Sequence, residues 1–212
     1  MPGNTFGTLF RLTTFGESHG PGLGGVIDGC PAGLPLTEAD IQEELDRRRP
    51  GQGLSTSARK ESDQVQILSG VFDGRTTGTS LGFYIPNQDQ KSKDYDHLKN
   101  LYRPGHADFT YNQKYGIRDY RGGGRASARE TVCRVVGGAV AQKILARHGI
   151  QVMAYTREMA GIQAEVISPE KALERPYFAP DPSVLELWQN KVEEVRRMGD
   201  SIGGIGEVMV IN

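Results

Sequence analysis

Two histidines in glycine-flanked loops have the surroundings that best suit proton transfer. His19 lies in the segment FGESHG, residues 15–20, and His106 lies in RPGHAD, residues 103–108. Histidine titrates near neutral pH, as a general acid at that pH must. From spacing alone a lone histidine is more often structural, and neither has a second ligand at zinc spacing. The other two histidines, in a charged stretch and near a predicted helix end, are interpreted as structural or exposed: His97 and His148.

Arginine is concentrated in two blocks, although the chain as a whole is close to neutral. The formal net charge is −1 over 212 residues, whereas residues 47–60 carry +5 and residues 103–134 carry +4. Because arginine binds phosphate and carboxylate in a bidentate manner, the blocks favour an anionic ligand. The alternative is that these arginines are solvated or paired with acids, but residues 47–60 themselves contain no acid, and none was expected within their reach. Three consecutive residues, Arg47–Arg49, cannot all face one ligand.

A glycine-rich turn precedes the clearest predicted helix. The segment GGGR, residues 122–125, leads to Ser127, which fits a capping box with Glu130. The free N–H groups and positive dipole of a helix amino end bind anions. Arg125 and Arg129, four residues apart, are therefore predicted to frame one phosphate. An ordinary flexible loop is the alternative, and neither a Walker nor a dinucleotide fingerprint occurs.

Short strands and amphipathic helices must position these residues. A first helix is predicted after the cap Thr37, with Ile41 and Leu45 on one face and Pro50 ending it. Gly137–Gly138 predicts close packing within a second helix that ends near residue 149. The apolar stripe of this second helix is Val132, Val135, Val136, Ala139 and Val140. A third amphipathic helix is predicted from the stripe Val184, Leu185, Trp188, Val192 and Val195. Strands are predicted over residues 5–14, 24–27, 65–68, 80–85, 152–155 and 207–211.

The stretch between the strands and the second helix, residues 87–125, is long, polar and weakly periodic. It is interpreted as a functional or disordered loop. The strand-like pattern at residues 207–211 predicts a truncated chain, because a domain rarely ends within a strand.

Composition limits the class of protein. Apolar residues make up 37% of the chain, and 28 glycines are spread through it without a low-complexity tail. No apolar run approaches the ~20 residues that span a bilayer, and the first 14 residues lack a secretory pattern. Two cysteines are too few for a disulfide framework. The near-neutral charge argues against bulk binding of nucleic acid or membrane surfaces, so we expect a soluble, cytoplasmic protein.

Five ordered motifs, spread over nearly all 212 residues, resemble the chorismate synthase family. They are TFGESHG with DGCPAG, then DRRRPG, RPGHAD, RGGGRASARET and GDSIGG. The resemblance implies an α+β fold, a β-α-β sandwich with helices packed between two antiparallel sheets. It further implies a homotetramer and one domain over residues 1–212 that is truncated at the carboxy end, since members are commonly longer. In members, the proposed base at the flavin is an aspartate in that further part.

The resemblance also implies an activity, the last step of the shikimate pathway towards the aromatic amino acids. Members are carbon–oxygen lyases that convert 5-enolpyruvylshikimate 3-phosphate to chorismate by anti-1,4-elimination of phosphate and a ring proton. The reaction requires reduced FMN without net redox change. A substrate with a phosphate and two carboxylates accounts for an arginine-rich pocket in a neutral protein.

The resemblance implies roles for individual residues where a motif of this sequence matches a motif of the family. The resemblance implies that His19 is the acid near the leaving phosphate and that His106 stabilises or protonates the reduced flavin. The implied substrate-binding residues are Ser18, Arg48, Arg103 and Arg129, and the implied cofactor-binding residues are Arg48, Arg125, Ala126 and Ser127. Arg48 is also assigned to NADPH in members that reduce their own flavin. Here Leu54 stands where many members have arginine, which counts against nicotinamide binding. No metal is implied.

Two other interpretations stay open at the level of sequence. The chain is a non-catalytic flavin- or phosphate-binding fragment if these 212 residues are the whole molecule, and it is then expected to fold poorly and be inactive. The second interpretation is an RNA-binding protein with an RGG-like patch at residues 121–129. The net charge of −1 and the lack of an RNP-like aromatic strand argue against it.

Overall fold

The computed structural model describes residues 3–48, 61–89 and 92–212, which form two compact units. The first contains the described residues up to Ile144, and the second runs from Leu145 to Asn212. Several residues of the sequence analysis lie outside the described ranges: Arg49, Pro50, Leu54, Arg59 and Lys60.

The first unit is built on a five-stranded antiparallel sheet with the strand order β1-β2-β3-β7-β4. Its strands, with the separate hairpin of β5 and β6, are β1 (Thr5–Phe6), β2 (Arg11–Gly16), β3 (Gly22–Asp28), β4 (Gln66–Ile67), β5 (Val71–Phe72), β6 (Arg75–Thr76) and β7 (Leu81–Pro86). A short turn joins the adjacent strands β2 and β3, so the segment that carries His19 lies at one end of this sheet.

The strands predicted over residues 24–27, 65–68 and 80–85 are confirmed as β3, β4 and β7. The single strand predicted over residues 5–14 is wrong, because β1 and β2 form a hairpin there. Gly7 has a φ of +96°, and a Cβ atom at this position would lie 2.0 Å from the Phe10 carbonyl oxygen. Only glycine fits such a turn, so the chain reverses where the propensities suggested continuity.

The first unit also contains α1 (Glu38–Arg48), α2 (Asp108–Tyr115) and most of α3 (Thr131–Ala146). The predicted start of α1 is confirmed. The Thr37 amide donates to Asp40 Oδ2 at 2.7 Å, and the Asp40 amide donates to Thr37 Oγ1 at 3.4 Å, which forms a capping box.

Helices α1 and α3 contribute to one hydrophobic core with the sheet. Ile41 and Leu45 are fully buried, as predicted, and they cluster with Phe83 of β7 and Val136 of α3. A Cβ atom on Gly137 would lie 2.9 Å from Leu12 Cδ2, so the predicted close packing is confirmed at this glycine. Gly138 is exposed instead. The core fixes the sheet end and the start of α3, which carry most of the predicted site.

Residues 87–125 are more ordered than predicted, because a 3-10 helix spans Ser92–Leu98 and α2 follows. The only buried residue of α2 is Asp108, so the helix has no apolar stripe that a sequence pattern would reveal. The loop prediction is wrong for this segment.

The second unit has a three-stranded antiparallel sheet, ordered β10-β8-β9, and two helices. Its elements are β8 (Gln151–Met159), β9 (Ile162–Gln163), α4 (Pro169–Ala172), α5 (Leu185–Met198) and β10 (Gly204–Ile211). Trp188 of α5 is fully buried, and its indole N–H donates to the Ile162 carbonyl at 3.0 Å. The strands predicted at 152–155 and 207–211 and the helix predicted near 184–195 are confirmed, as is the α+β class.

Three further properties concern the described residues alone. No helix within them combines the length and the apolar character that crossing a bilayer requires. No group of three or more His, Cys, Asp or Glu side chains in these ranges is arranged to hold a metal ion. Cys30 and Cys133 are free and buried, and burial raises the pKa of the Cys133 thiol to about 12. That thiol is therefore protonated at neutral pH.

Candidate active site

His19 lies on a tight turn between β2 and β3. The Gly20 amide donates to the Glu17 carbonyl at 3.1 Å and closes the turn. Ser18 is buried and His19 is half-buried, with its ring edge-on to Tyr95 at a centroid distance of 4.7 Å. The turn thus presents a histidine on a fixed backbone rather than on a loose loop.

Gly122, the first residue of the triple-glycine turn, packs directly against this histidine. A Cβ atom at Gly122 would lie 2.3 Å from His19 Cδ2 and 3.0 Å from Ser18 Oγ, and its φ is +70°. The Gly122 carbonyl accepts a hydrogen bond of 2.8 Å from Arg103 Nη2. The glycine therefore permits close approach, and it brings together Ser18, His19 and Arg103, three of the predicted site residues.

In the whole protein, with His19 as the predicted acid, we expect Gly122→Ala to lower kcat about 10- to 100-fold. The added methyl group would displace His19, and small misplacements are costly in catalysis. Gly74→Ala is the matched control, since its φ of +69° carries the same backbone strain and nothing lies within 4 Å of the added Cβ. Steady-state kinetics and thermal unfolding of both variants make the comparison. Equal kcat values for the two variants would contradict the role of the close approach.

Asp108 orients Arg103 by a two-point interaction. Arg103 Nε lies 2.9 Å from Asp108 Oδ2 and Arg103 Nη2 lies 3.0 Å from Oδ1, while Arg118 Nη1 lies 3.4 Å from Oδ1. The hydrogen bonds from Arg103 hold the pKa of Asp108 at about 2, against the opposing effect of burial. The RPGHAD motif thus fixes one arginine through its own aspartate five residues later.

This pairing predicts a pH dependence of stability. A carboxyl pKa that is lower in the folded than in the unfolded protein stabilises above about pH 4, and that contribution is lost as the pH falls through 2. We expect Asp108→Asn to lower the free energy of unfolding by about 2 kcal/mol near neutral pH. The difference from wild type should vanish near pH 2 in urea titrations. An exposed control, Asp96→Asn, should show little difference at any pH; a constant Asp108 difference down to pH 2 would contradict the assignment.

Arg125 reaches back to the end of β2. Its Nη2 donates to Thr14 Oγ1 at 2.5 Å and its Nη1 donates to the Gly16 carbonyl at 3.0 Å. The Thr14 hydroxyl donates in turn to Glu130 Oε1 at 2.7 Å. Ser127 caps the following turn by accepting from the Arg129 amide at 3.2 Å, but Glu130 binds Thr14, so only half of the predicted capping box forms.

Arg48 and Arg129 meet at a fully buried carboxylate. Arg48 Nη1 donates to Asp63 Oδ2 at 3.0 Å, and Arg129 Nη1 donates to Asp63 Oδ1. Arg129 is only 4% exposed, and its Nη2 lies 3.7 Å from Glu61 Oε2 without a hydrogen-bond acceptor among the described residues. That buried N–H group is a donor that a substrate oxygen can satisfy.

Sequence reasoning missed that acids outside the first arginine block pair with it, one on the same helix and one farther along the chain. Arg48 binds Asp63, 15 residues away, and Arg47 binds Glu44. The expectation that this block has no partner is therefore wrong for these two arginines. No local pattern marks Asp63 as the partner, since the sheet and α3 create the contact.

The structure gives Arg125 and Arg129 different partners, and the idea that they frame one phosphate stays a prediction. The backbone between them forms two 3-10 turns, Gly124–Ala126 and Ala128–Glu130, separated by Ser127 in an extended conformation. Arg125 binds Thr14, and Arg129 binds Asp63.

A cavity of about 180 Å³ opens beside the triple-glycine turn. It is lined by Glu17, Ala107, Asp108, Tyr111, Tyr115, Ile117, Arg118, Asp119 and Gly123–Ala126. Burial raises the pKa of Glu17, although the nearby Arg125 opposes this shift. Arg118, on the cavity wall, holds its Nη1 in the 3.4 Å ion pair with Asp108, and this atom makes no hydrogen bond among the described residues. The cavity therefore offers cationic donors beside a carboxyl group that gains a proton more readily than usual.

The remaining predicted residues lie apart from the buried ion pairs. His106 is exposed on the turn before α2, with its Nδ1 3.2 Å from the Pro104 carbonyl. Ala126 is exposed and Ser127 is half-buried on the turns that follow the glycines.

Comparisons with known proteins agree with one another. A family model described as chorismate synthase matches residues 10–212. The chain is 62% identical over 210 residues to a chorismate synthase of Maridesulfovibrio salexigens, covering 99% of this chain and 60% of that relative. It is 58% identical over 209 residues to one of Roseiflexus castenholzii, covering 98% and 58%. A crystal structure of chorismate synthase matches with a TM-score of 0.78 at 33% identity, covering 97% of this chain and 58% of that one.

The chain thus spans about 60% of the length of the curated relatives it matches. Over 97% of its own length it resembles the fold of the solved structure.

Proposed function

We propose, because the chain belongs to the chorismate synthase family, that the whole protein converts 5-enolpyruvylshikimate 3-phosphate to chorismate. In this elimination a C–O bond to phosphate and a ring C–H bond break while a double bond forms. The observation that carries the proposal is the His19 turn held against Gly122 among oriented arginines. Activity is assigned to the whole protein, since the chain covers 60% of its relative.

His19 suits the role of acid at the leaving phosphate. A departing phosphate gains negative charge, which a proton and fixed cations stabilise. The Asp119 carboxylate lies near enough to His19 for their charges to interact, and the pKa of Asp119 is lowered mainly by its hydrogen bond to Arg121 and also by His19.

The arginines around the turn suit the anionic groups of the substrate. Asp108 fixes Arg103, and Asp63 fixes Arg48 and Arg129, so their remaining donors are held in place before any ligand arrives. Preorganised donors cost no rearrangement during the reaction. The buried Nη2 of Arg129 makes no hydrogen bond among the described residues, so it is a donor that an oxygen of the substrate can use.

The cavity beside the triple-glycine turn has two cations on its wall, Arg118 and Arg125, which share it with the carboxyl groups of Glu17, Asp108 and Asp119. Arg118 and the Gly123–Ala126 backbone line a cavity of about 180 Å³, below the ~300–1,000 Å³ of whole ligand pockets. Arg118 Nη1 forms an ion pair with Asp108 but makes no hydrogen bond among the described residues. We infer that Arg118 and this backbone hold one end of the nucleotide, with Arg125, Ala126 and Ser127 from the family motif. Reduced FMN, when bound, supplies the transient electron transfer that loosens the bond to phosphate without net redox change.

Further parts of the proposal are supported by family membership alone. They are a single domain over residues 1–212, a homotetramer, a cytoplasmic location and NADPH as a reductant of the flavin. Residues Arg48 and His106 keep their proposed roles, in binding substrate or nicotinamide and in stabilising reduced flavin.

Phosphate release under anaerobic conditions tests the proposal. The whole protein should release phosphate from 5-enolpyruvylshikimate 3-phosphate with reduced FMN and not with oxidised FMN. Tight FMN binding without any release would indicate a non-catalytic flavin-binding protein. Salt-sensitive RNA binding without release would indicate the nucleic-acid interpretation. Either result would overturn the proposed function, provided that the protein is shown to be folded.

A further inference from the structure

The side chain of Asn87 lies at the centre of the contacts that hold the His19 turn. Asn87 directly follows β7, whose last residue Pro86 pairs with Gly22 at the start of β3. Its own amide donates to the Pro21 carbonyl at 3.0 Å. The sheet therefore fixes the backbone of Asn87 next to the turn that carries His19.

The side-chain amide of Asn87 gathers three carbonyl oxygens of that turn. Nδ2 lies 3.0 Å from the Glu17 oxygen, 3.3 Å from the Ser18 oxygen and 2.8 Å from the Gly20 oxygen. An amide nitrogen has two hydrogens, so the three carbonyls share them. These peptide groups flank His19 on both sides, which means that one NH2 group sets the path of the backbone through His19.

The other end of the same amide reaches the paired arginines. Asn87 Oδ1 accepts a hydrogen bond of 3.0 Å from Arg129 Nε, and Arg129 binds Asp63. Asn87 thus connects the turn of the proposed acid to the arginine proposed to bind substrate. Both ends of the amide are used, with donors towards His19 and an acceptor towards Arg129.

We propose that Asn87 is a positioning residue for the elimination, holding His19 in register with Arg129; this inference rests on the proposed function, in which His19 is the acid. Asn87 acts through the turn backbone and touches no reacting atom. Its donor end is the part that matters for His19, because three carbonyl oxygens require an N–H group opposite them.

Asparagine and aspartate have the same shape, which allows the two ends to be tested separately. Asn87→Asp replaces the donor nitrogen with an oxygen that repels the three carbonyls, and it keeps an acceptor for Arg129. Asn87→Ala removes both ends. Asn112→Asp is the matched control, because it makes the same chemical change at an amide that donates to the Tyr102 hydroxyl at 2.9 Å.

In the whole protein, we expect both Asn87 variants to lower kcat about 10- to 100-fold, as a displaced catalytic group does. The KM of Asn87→Asp for the anionic substrate should rise, because the new carboxylate lies beside Arg129, so kcat and the reactivity of His19 report on the turn. The rate at which diethyl pyrocarbonate modifies His19 should change, while those of His97 and His148 stay the same. Asn112→Asp should leave all of these quantities unchanged.

Three other outcomes would contradict the proposal that Asn87 positions His19. A wild-type kcat in Asn87→Asp overturns it, as does a loss of kcat in Asn87→Ala alone, which would assign the effect to Arg129. Equal changes in the modification rates of His19, His97 and His148 would indicate a general loss of structure and would also overturn the proposal. If wild-type protein releases no phosphate, the proposed function fails, and the His19 modification rate in Asn87→Asp still decides whether Asn87 positions the turn.

Discussion

Replacing His19 with alanine is expected to lower kcat for phosphate release about 1,000-fold, within the range that general acid catalysis contributes. The imidazole is the proposed acid at the leaving phosphate, and Gly122 packs closely against it on the turn between β2 and β3. Without the imidazole of His19, the leaving phosphate must take its proton from water. Stopped-flow measurement of a single turnover with reduced FMN isolates this step from product release.

His97→Ala is the matched control for this change. His97 is exposed in the 3-10 helix Ser92–Leu98, and its replacement should leave kcat at the wild-type value. FMN binding should be preserved in both variants, which separates a lost proton from a lost cofactor. A His19→Ala enzyme with a kcat within threefold of wild type would show that another group is the acid.

Asp63→Asn is expected to cause the largest loss of stability, about 3–5 kcal/mol in the free energy of unfolding. Asp63 is fully buried and binds both Arg48 and Arg129, so a neutral side chain leaves two guanidinium groups without their shared anion. Asparagine isolates the charge effect, because Asp63 has a φ of +50° and asparagine tolerates that conformation. Urea unfolding of the whole protein provides the measurement.

The exposed ion pair Arg11–Asp28 supplies the comparison for this variant. Its side chains are 53% and 50% exposed, so Asp28→Asn should change the free energy of unfolding by about 0–1 kcal/mol. Similar shifts for Asp63→Asn and Asp28→Asn would contradict the conclusion that the buried carboxylate organises the arginines.

Local signals predicted those elements whose determinants are close in sequence. Thr37 and Asp40 are three residues apart and form the cap of α1 as predicted. The apolar spacing of Val132, Val136 and Val140 predicted the buried face of α3. Helix α2 was not predicted, because its position depends on Asp108 and its salt bridges rather than on an apolar stripe.

The candidate site depended more on contacts between distant residues. The motifs indicated His19, Arg103 and Arg129 individually, but their grouping around Gly122 and Asp63 arises from the sheet and the 3-10 turns. The sequence pattern indicated only that a strand ends at Pro86 and Asn87. The contacts of Asn87 with the His19 turn, almost 70 residues away along the chain, follow from the pairing of β3 with β7.

The most direct test of the proposed elimination compares the two products of one reaction. The whole protein is incubated anaerobically with 5-enolpyruvylshikimate 3-phosphate and reduced FMN, and phosphate and chorismate are quantified together with the flavin. We predict one chorismate for each phosphate released, with the flavin still reduced at the end. Phosphate released without chorismate, or flavin oxidised in proportion to turnover, would contradict the assigned reaction.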